Sequence, residues 1–168
     1  NTLVGGFTYN PNTAPGLAAI GPRPGTEGIL LTFTVSASDP DGTTPSLSAT
    51  PLPSGATFVD NGNGTGTFSW TPTFTQAGAY QVTFAAADGI DTDNELVNIT
   101  INDAGNQLPI LAAIGPQTVA ENATLNLNLS ATDADLNPIT FSTTDAPTNS
   151  SLTDNGDGTA LFTFTPDF

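Results

Sequence analysis

Cysteine, histidine, methionine and lysine are all absent from this 168-residue chain, and Arg23 is its sole basic side chain against 16 carboxylates. Without Cys or His there is no thiolate or imidazole to ligate zinc, haem iron or an iron–sulfur cluster. The same gaps remove Cys and Lys nucleophiles and the His general base. No disulfide can form, so reinforcement must come from core packing, metal ions or neighbouring domains. One cation cannot neutralise phosphates, which excludes nucleic acid and an anionic lipid surface as partners. No apolar run approaches the ~20 residues of a membrane helix, so membrane insertion is not expected. The net charge of −15 suits divalent cations, high ionic strength or simple solubility. The lack of Lys also leaves few trypsin sites, an advantage outside the cell. Position 1 is Asn and no signal peptide is seen, which reads as a processed chain or a slice of a longer one.

What is present is rich in turns and strands. The chain carries 17 Gly and 14 Pro among many Asn, Asp, Thr and Ser. It also repeats itself. At an offset of 94 positions (12 to 106), residues 17–22 and 111–116 both read LAAIGP, Glu27 meets Glu121, and Asp39 and Asp41 meet Asp133 and Asp135. Asp60-Asn61-Gly62 meets Asp154-Asn155-Gly156, and Phe74 meets Phe168 without a gap. A match of this kind marks tandem repeats. The expected divisions are an N-terminal strand at 1–11, a first repeat at 12–105 and a second at 106–168. The second lacks counterparts of residues 75–103.

Within each repeat the period is two. Leu31, Phe33, Val35 and Ala37 alternate with polar residues, as do Leu125, Leu127, Leu129 and Ala131, Phe68 and Trp70, Tyr80, Val82 and Phe84, and Val97, Ile99 and Ile101. The Asn-Gly pairs predict hairpin turns, and the spacing of short strands predicts β-sandwiches. Tyr80, two residues after Gly78 at a strand start, fits the tyrosine corner of such sandwiches. Trp70 and Tyr80 fall on the apolar phase and are read as core rather than as sugar-stacking platforms, with Trp70 packed near Tyr80 and Phe68.

These residues resemble the cadherin-like and Putative-Ig (dystroglycan-type) tandem repeats of bacterial and archaeal surface proteins. Ala37-Ser38-Asp39-Pro40-Asp41 and Ala131-Thr132-Asp133-Ala134-Asp135 resemble the cadherin Asp-x-Asp motif, and Ala86-Ala87-Asp88-Gly89 the Ala-x-Asp motif. Asp103-Ala104-Gly105-Asn106-Gln107-Leu108-Pro109 is similar to the cadherin linker. The resemblance implies an all-β chain of Ig-like/cadherin-like antiparallel sandwiches, the second incomplete at its C-terminus. It also implies calcium. Glu27, Asp103, Asn106, Asp133 and Asp135 would serve a central junction, and Asp39, Asp41 and Asp88 an N-terminal one. The Asp-Arg-Glu motif is replaced by Thr71-Pro72-Thr73-Phe74, and the linker has lost acids, so no more than two ions are expected at the central junction.

Asp91, Asp93 and Glu95 read as a solvated loop with a lesser chance of weak cation binding. Paired carboxylates could serve a glycosidase, but Asp39/Asp41 and Asp133/Asp135 recur with the scaffold, so no catalytic residues are assigned. Sequons open at Asn63, Asn98, Asn122, Asn128 and Asn149. Asn98 and Asn128, on outward phases, are the candidate glycan positions. The expected function is a structural, calcium-stiffened segment of an extracellular, cell-surface or filament protein. Its expected partners are other copies or neighbouring repeats joined head to tail, with residues 1–11 of one copy completing the second domain of the next. The alternative is an adhesin or carbohydrate-binding module.

Overall fold

The computed structural model describes residues 11–167. Residues 1–10, and with them the expected donor strand, lie outside that range, as does Phe168. Chain contacts divide the molecule into two compact units between Ala104 and Gly105. The sequence placed the division one residue later.

Unit 1 is built from β1 (Gly16–Leu17), β2 (Arg23–Thr26), β3 (Leu31–Ser38), β4 (Ser46–Thr50), β5 (Thr57–Asp60), β6 (Thr65–Trp70), β7 (Gly78–Ala87) and β8 (Thr92–Asn102). One sheet has the order β1-β3-β6-β5 and the other β2-β8-β7-β4. Every pairing is antiparallel except β2 with β8, where Arg23 faces Ile99 and Thr26 faces Asn102 in parallel. The alternating rows close on one another. Val35 (1% exposed), Phe68 (0%) and Trp70 (1%) from the first sheet meet Val82, Phe84, Val97 and Ile99 from the second. The Trp70 and Tyr80 rings cross edge to face at 4.9 Å, and Phe33 stacks on Phe68 at 4.9 Å. Trp70 Nε1 donates to the Ser54 carbonyl at 3.1 Å, so burial leaves its polar end satisfied. The Tyr80 hydroxyl donates back to the Gln76 carbonyl at 2.9 Å, closing the corner read from the sequence. Arg23 lies with its guanidinium 4.8 Å from the centroid of the Phe33 ring, a cation–π contact.

Unit 2 contains β9 (Ile110–Leu111), β10 (Leu125–Thr132), β11 (Ser150–Asp154) and β12 (Thr159–Phe164), joined in one sheet of order β11-β12-β10-β9. This repeats the order β5-β6-β3-β1 of unit 1. Among the described residues of unit 2 no second sheet faces it. The segment corresponding to β4 follows no ladder, and counterparts of β7 and β8 would fall past residue 168. The all-β reading stands, with the second sandwich represented by one of its layers.

The β5–β6 and β11–β12 hairpins use the same turn. Asn61 N–H donates to the Thr65 carbonyl at 2.9 Å, and Asn155 N–H to the Thr159 carbonyl at 3.0 Å. Gly64 and Gly158 carry φ of +77° and +82°. A Cβ on either would also press a backbone carbonyl, Ala37 O at 2.9 Å or Ala131 O at 3.1 Å. Both needs select glycine.

Candidate functional site

The acidic residues singled out by the sequence sit at turns and strand ends, and most of their oxygens accept from the main chain. In unit 1, Asp39 Oδ1 takes the Asp41 N–H at 2.7 Å, and Asp39 Oδ2 takes the Thr43 hydroxyl at 2.5 Å. Asp41 in turn accepts the Thr13 N–H at 2.5 Å. Asp88 Oδ1 takes the Ile90 and Asp91 N–H groups, both at 2.7 Å. The Asn12 amide bridges Asp88 Oδ2 at 2.9 Å and Asp91 Oδ2 at 3.0 Å. That amide first, then the Asp91 and Ile90 N–H groups, hold the Asp88 carboxyl below its ordinary value of 3.8.

Unit 2 repeats the device. Asp133 Oδ1 takes the Asp135 N–H at 2.9 Å and the Asn137 N–H at 3.2 Å. Asp135 accepts the Gln107 N–H, and the Asn137 amide donates to Asn106 Oδ1 at 2.7 Å. Thr13 and Gln107 are equivalent under the repeat, as are Asp41 and Asp135. In each unit, then, the first Asp of the motif folds the turn and the second anchors the segment leading into the unit.

Glu27 is placed differently. It is 3% exposed, the only buried charged residue among those described. Its carboxylate takes the Ala77 N–H at 2.6 Å and the Ala104 N–H at 3.3 Å. One donor precedes β7 and the other follows β8, so Glu27 ties both ends of that hairpin to the turn before β3. Asp103 follows β8 and is exposed, as is Asn106. Asn98 and Asn128 are both exposed.

Among the described residues, no three acidic side chains of either unit stand close enough to share a cation. Calcium needs six to eight converging oxygens. Asp41 and Asp88 reach adjacent residues, Thr13 and Asn12, and with Asp39 they accept from amides and a hydroxyl. The donor set fits main-chain anchoring and does not fit a local calcium cradle.

Two residues read as solvated acids do structural work. Asp93 and Glu95 belong to β8, on the same phase as Val97 and Ile99. Asp93 takes the Leu17 N–H at 2.9 Å. Glu95 takes the Ile20 and Gly21 N–H groups, both at 2.8 Å. Leu17 closes β1, and the chain after it crosses from one sheet to the other without a ladder, so Asp93 caps the end of β1 and Glu95 satisfies the amides of the crossing. The signal was present in the sequence: acids on the inward phase of an otherwise apolar strand.

Asp60 and Asp154 are a further matched pair. Asp60 accepts the Leu47 N–H at 2.9 Å and the Gly62 N–H at 2.9 Å, and these bonds, Leu47 first, lower its pKa. Asp154 accepts from Gly156 and Phe141, both at 3.0 Å, and is lowered in that order of cause.

Comparison with known proteins places this architecture. Chitinase A of Pseudoalteromonas piscicida is 26% identical over 145 residues, 84% of this chain but 17% of that protein's length. The endo-fucoidan hydrolase MfFcnA4 of glycoside hydrolase family 107 superposes with a TM-score of 0.54 at 19% identity, over 97% of this chain and 26% of that one. The chain thus spans a minor part of each, and the structural likeness is one of fold. The model of the family described as "Putative Ig domain" matches residues 11–102, more than half of the 168, and the chain belongs to that family.

Proposed function

We propose that this chain is a non-catalytic, structural repeat segment of a secreted or surface-exposed protein, one that spaces and orients functional parts of its parent. The observation that supports it is the repeated clamp, Asp41 on the Thr13 amide and Asp135 on the Gln107 amide. Two units that each fix the segment leading into them suit a spacer. A relative named as a chitinase, of which only 17% is spanned, supports an accessory place in a carbohydrate-active protein.

A sugar-binding role is less well supported. Stacking on pyranose rings needs exposed aromatics. The large exposed hydrophobics among the described residues are all Ile, Leu or Val, while Trp70 and Phe68 are buried. The reading assigns the stiffness to amide clamps rather than to calcium.

The test is backbone relaxation by NMR. Asp41→Ala and Asp135→Ala are expected to lower the order parameters of residues 12–14 and 106–108 respectively, leaving both sheets intact. Retention of the chain on insoluble chitin would favour the binding-module reading instead. A calcium-dependent rise in melting temperature, lost with chelator, would return the ion to the linkers.

A further inference from the structure

Three Asn-Gly pairs occur in the chain, and all lie in the two matched hairpin turns. Asn61-Gly62 and Asn63-Gly64 join β5 to β6, and Asn155-Gly156 joins β11 to β12. An asparagine followed by glycine holds both partners of a reaction. The main-chain nitrogen after it can attack its side-chain carbonyl carbon, and glycine leaves that approach unshielded. The three pairs share these atoms but not their surroundings.

In two pairs the nucleophile is held back. Gly62 N–H donates to Asp60 Oδ1 at 2.9 Å, and Gly156 N–H to Asp154 Oδ1 at 3.0 Å. The nitrogen attacks once it has lost its proton, and a carboxylate beside it opposes the negative charge left behind. The side-chain amide is tied as well. Asn61 Nδ2 donates to the Thr65 hydroxyl at 2.9 Å, and Asn155 Nδ2 to the Thr159 hydroxyl at 2.8 Å. Asn63 differs at each point. Among the described residues no carboxylate takes the Gly64 N–H, and Asn63 Nδ2 makes no hydrogen bond. Its Oδ1 instead accepts twice from Thr65, from the N–H at 3.1 Å and from the hydroxyl at 2.6 Å. Both donors are aimed at the oxygen on which charge develops during the attack. That hydroxyl also accepts from Asn61 Nδ2, which strengthens it as a donor. Asn63 is exposed, so water and base reach it.

We propose that Asn63-Gly64 is a self-modification site, at which the folded chain converts an amide to an acid. Gly64 N gives its proton to solvent base and bonds to Asn63 Cγ. The Cγ–Nδ2 bond breaks, Nδ2 takes a proton from water, and ammonia leaves behind a cyclic imide. Water then adds to either ring carbonyl and reopens the ring, with no change of oxidation state. Breaking the Cγ–N bond restores the main chain with Asp at 63. Unit 2 carries that residue type in the same turn, where Asp157 Oδ1 takes the Thr159 N–H at 3.0 Å and its hydroxyl at 2.6 Å. The acid therefore fits, and it adds a negative charge to an exposed turn. Breaking the bond to the main-chain carbonyl carbon instead routes the chain through Cβ and Cγ. The acceptor of the Thr65 amide then becomes part of a lengthened main chain, and the turn joining β5 to β6 loosens.

The experiment incubates the full chain in mildly alkaline buffer, folded or unfolded in urea, and locates the acid by tandem mass spectrometry of peptic peptides. In the folded chain Asn63 is expected to convert about tenfold faster than Asn61 or Asn155, the worth of one hydrogen bond gained in the transition state. In urea the three rates should converge. Thr65→Val should remove the lead of Asn63, and Thr65→Ser, which keeps the hydroxyl, should preserve it. Asp60→Asn, which removes the charge beside Gly62, should speed Asn61 and leave Asn155 unchanged. Asn63→Asp should melt with the parent chain, as the turn of Asp157 leads one to expect. Conversion of Asn61 or Asn155 as fast as Asn63 in the folded chain overturns the proposal, as does an inert Asn63 where the unfolded chain reacts. A lead for Asn63 that survives in urea would assign it to local sequence and overturn the role given to Thr65.

Discussion

Units 1 and 2 carry nearly the same sheet, and the difference between them separates what a sheet does alone from what a sandwich does. The same alternating strands, the same hairpin turn and the same Asp-x-Asp clamp form in both. What does not form in unit 2 is a buried core: among its described residues only Ala160 is buried. Ile20 is 7% exposed and its counterpart Ile114 is 48% exposed; Trp70 is buried and its counterpart Phe164 only half so. Local pattern and turn chemistry suffice for the ladder, whereas the core is a property of two faces meeting. A second difference lies within the shared sheet. A Cβ at Gly66 would stand 2.3 Å from Phe58 Cζ. In unit 2 the same positions hold Ala160 and Leu152, with Ala160 1% exposed. The larger ring needs the glycine and the smaller Leu leaves room for the methyl, so the two sites change together.

The sharpest test of this contrast is truncation of the matched aromatics. Trp70→Ala should cost about 3–5 kcal/mol of unit 1 stability by chemical denaturation, as expected for a buried aromatic. Phe164→Ala should cost roughly half as much, in proportion to its burial. Equal losses would break the comparison. Next in size, Glu27→Ala leaves the Ala77 and Ala104 amides without their acceptor and should cost about 2–3 kcal/mol. Glu121→Ala in the same chain should stay within about 0.5 kcal/mol.

Smaller again is the packing pair. Gly66→Ala should destabilise unit 1 by roughly 1–2 kcal/mol through overpacking. Phe58→Leu in the same molecule should recover part of that loss, and a double-mutant cycle should give a coupling of about 0.5 kcal/mol or more. Additive costs would show that the two sites are independent.

The least effect, and the one the units share, is acid sensitivity. The carboxyls of Asp60, Asp88 and Asp154 are lowered in the folded chain from the ordinary 3.8. A lowered folded pKa contributes stability that is present above the unfolded value and is lost as pH falls through the folded one. Stability should therefore decline below about pH 4. Carbon-detected NMR titration should find Asp60 and Asp154 midpoints on the low side of 3.8, and Asp60→Asn and Asp154→Asn should each flatten the acid limb.

The strands, the two hairpins, the buried Trp70 and the Tyr80 corner were legible because each is written in local pattern: period two, Asn-Gly, a Gly two residues before Tyr. The role of the acids was not. Asp39, Asp41, Asp133 and Asp135 resemble cation ligands in type and spacing, and only coordinates show their oxygens turned to amides. Asp93 and Glu95 look like loop residues beside Asp91. Their partners, Leu17, Ile20 and Gly21, are more than seventy positions away, and no period reveals such a contact. Glu27 was singled out as a junction residue, but its burial depends on β7 and β8 arriving over it.

The parallel pairing of β2 with β8 has a mechanical consequence. After β1 and the crossing segment the chain runs into β2, it leaves unit 1 through the end of β8, and these two strands run in the same direction. Once β1 and the crossing segment have given way, tension on the termini of the unit pulls β2 towards its beginning and β8 towards its end, so the force slides one strand past the other. All the rungs from Arg23–Ile99 to Thr26–Asn102 then bear load at once, instead of parting one by one as in a peeled hairpin. Rupture requires their concerted failure, and the polypeptide resists being stretched far better along this axis than its modest number of bonds would suggest.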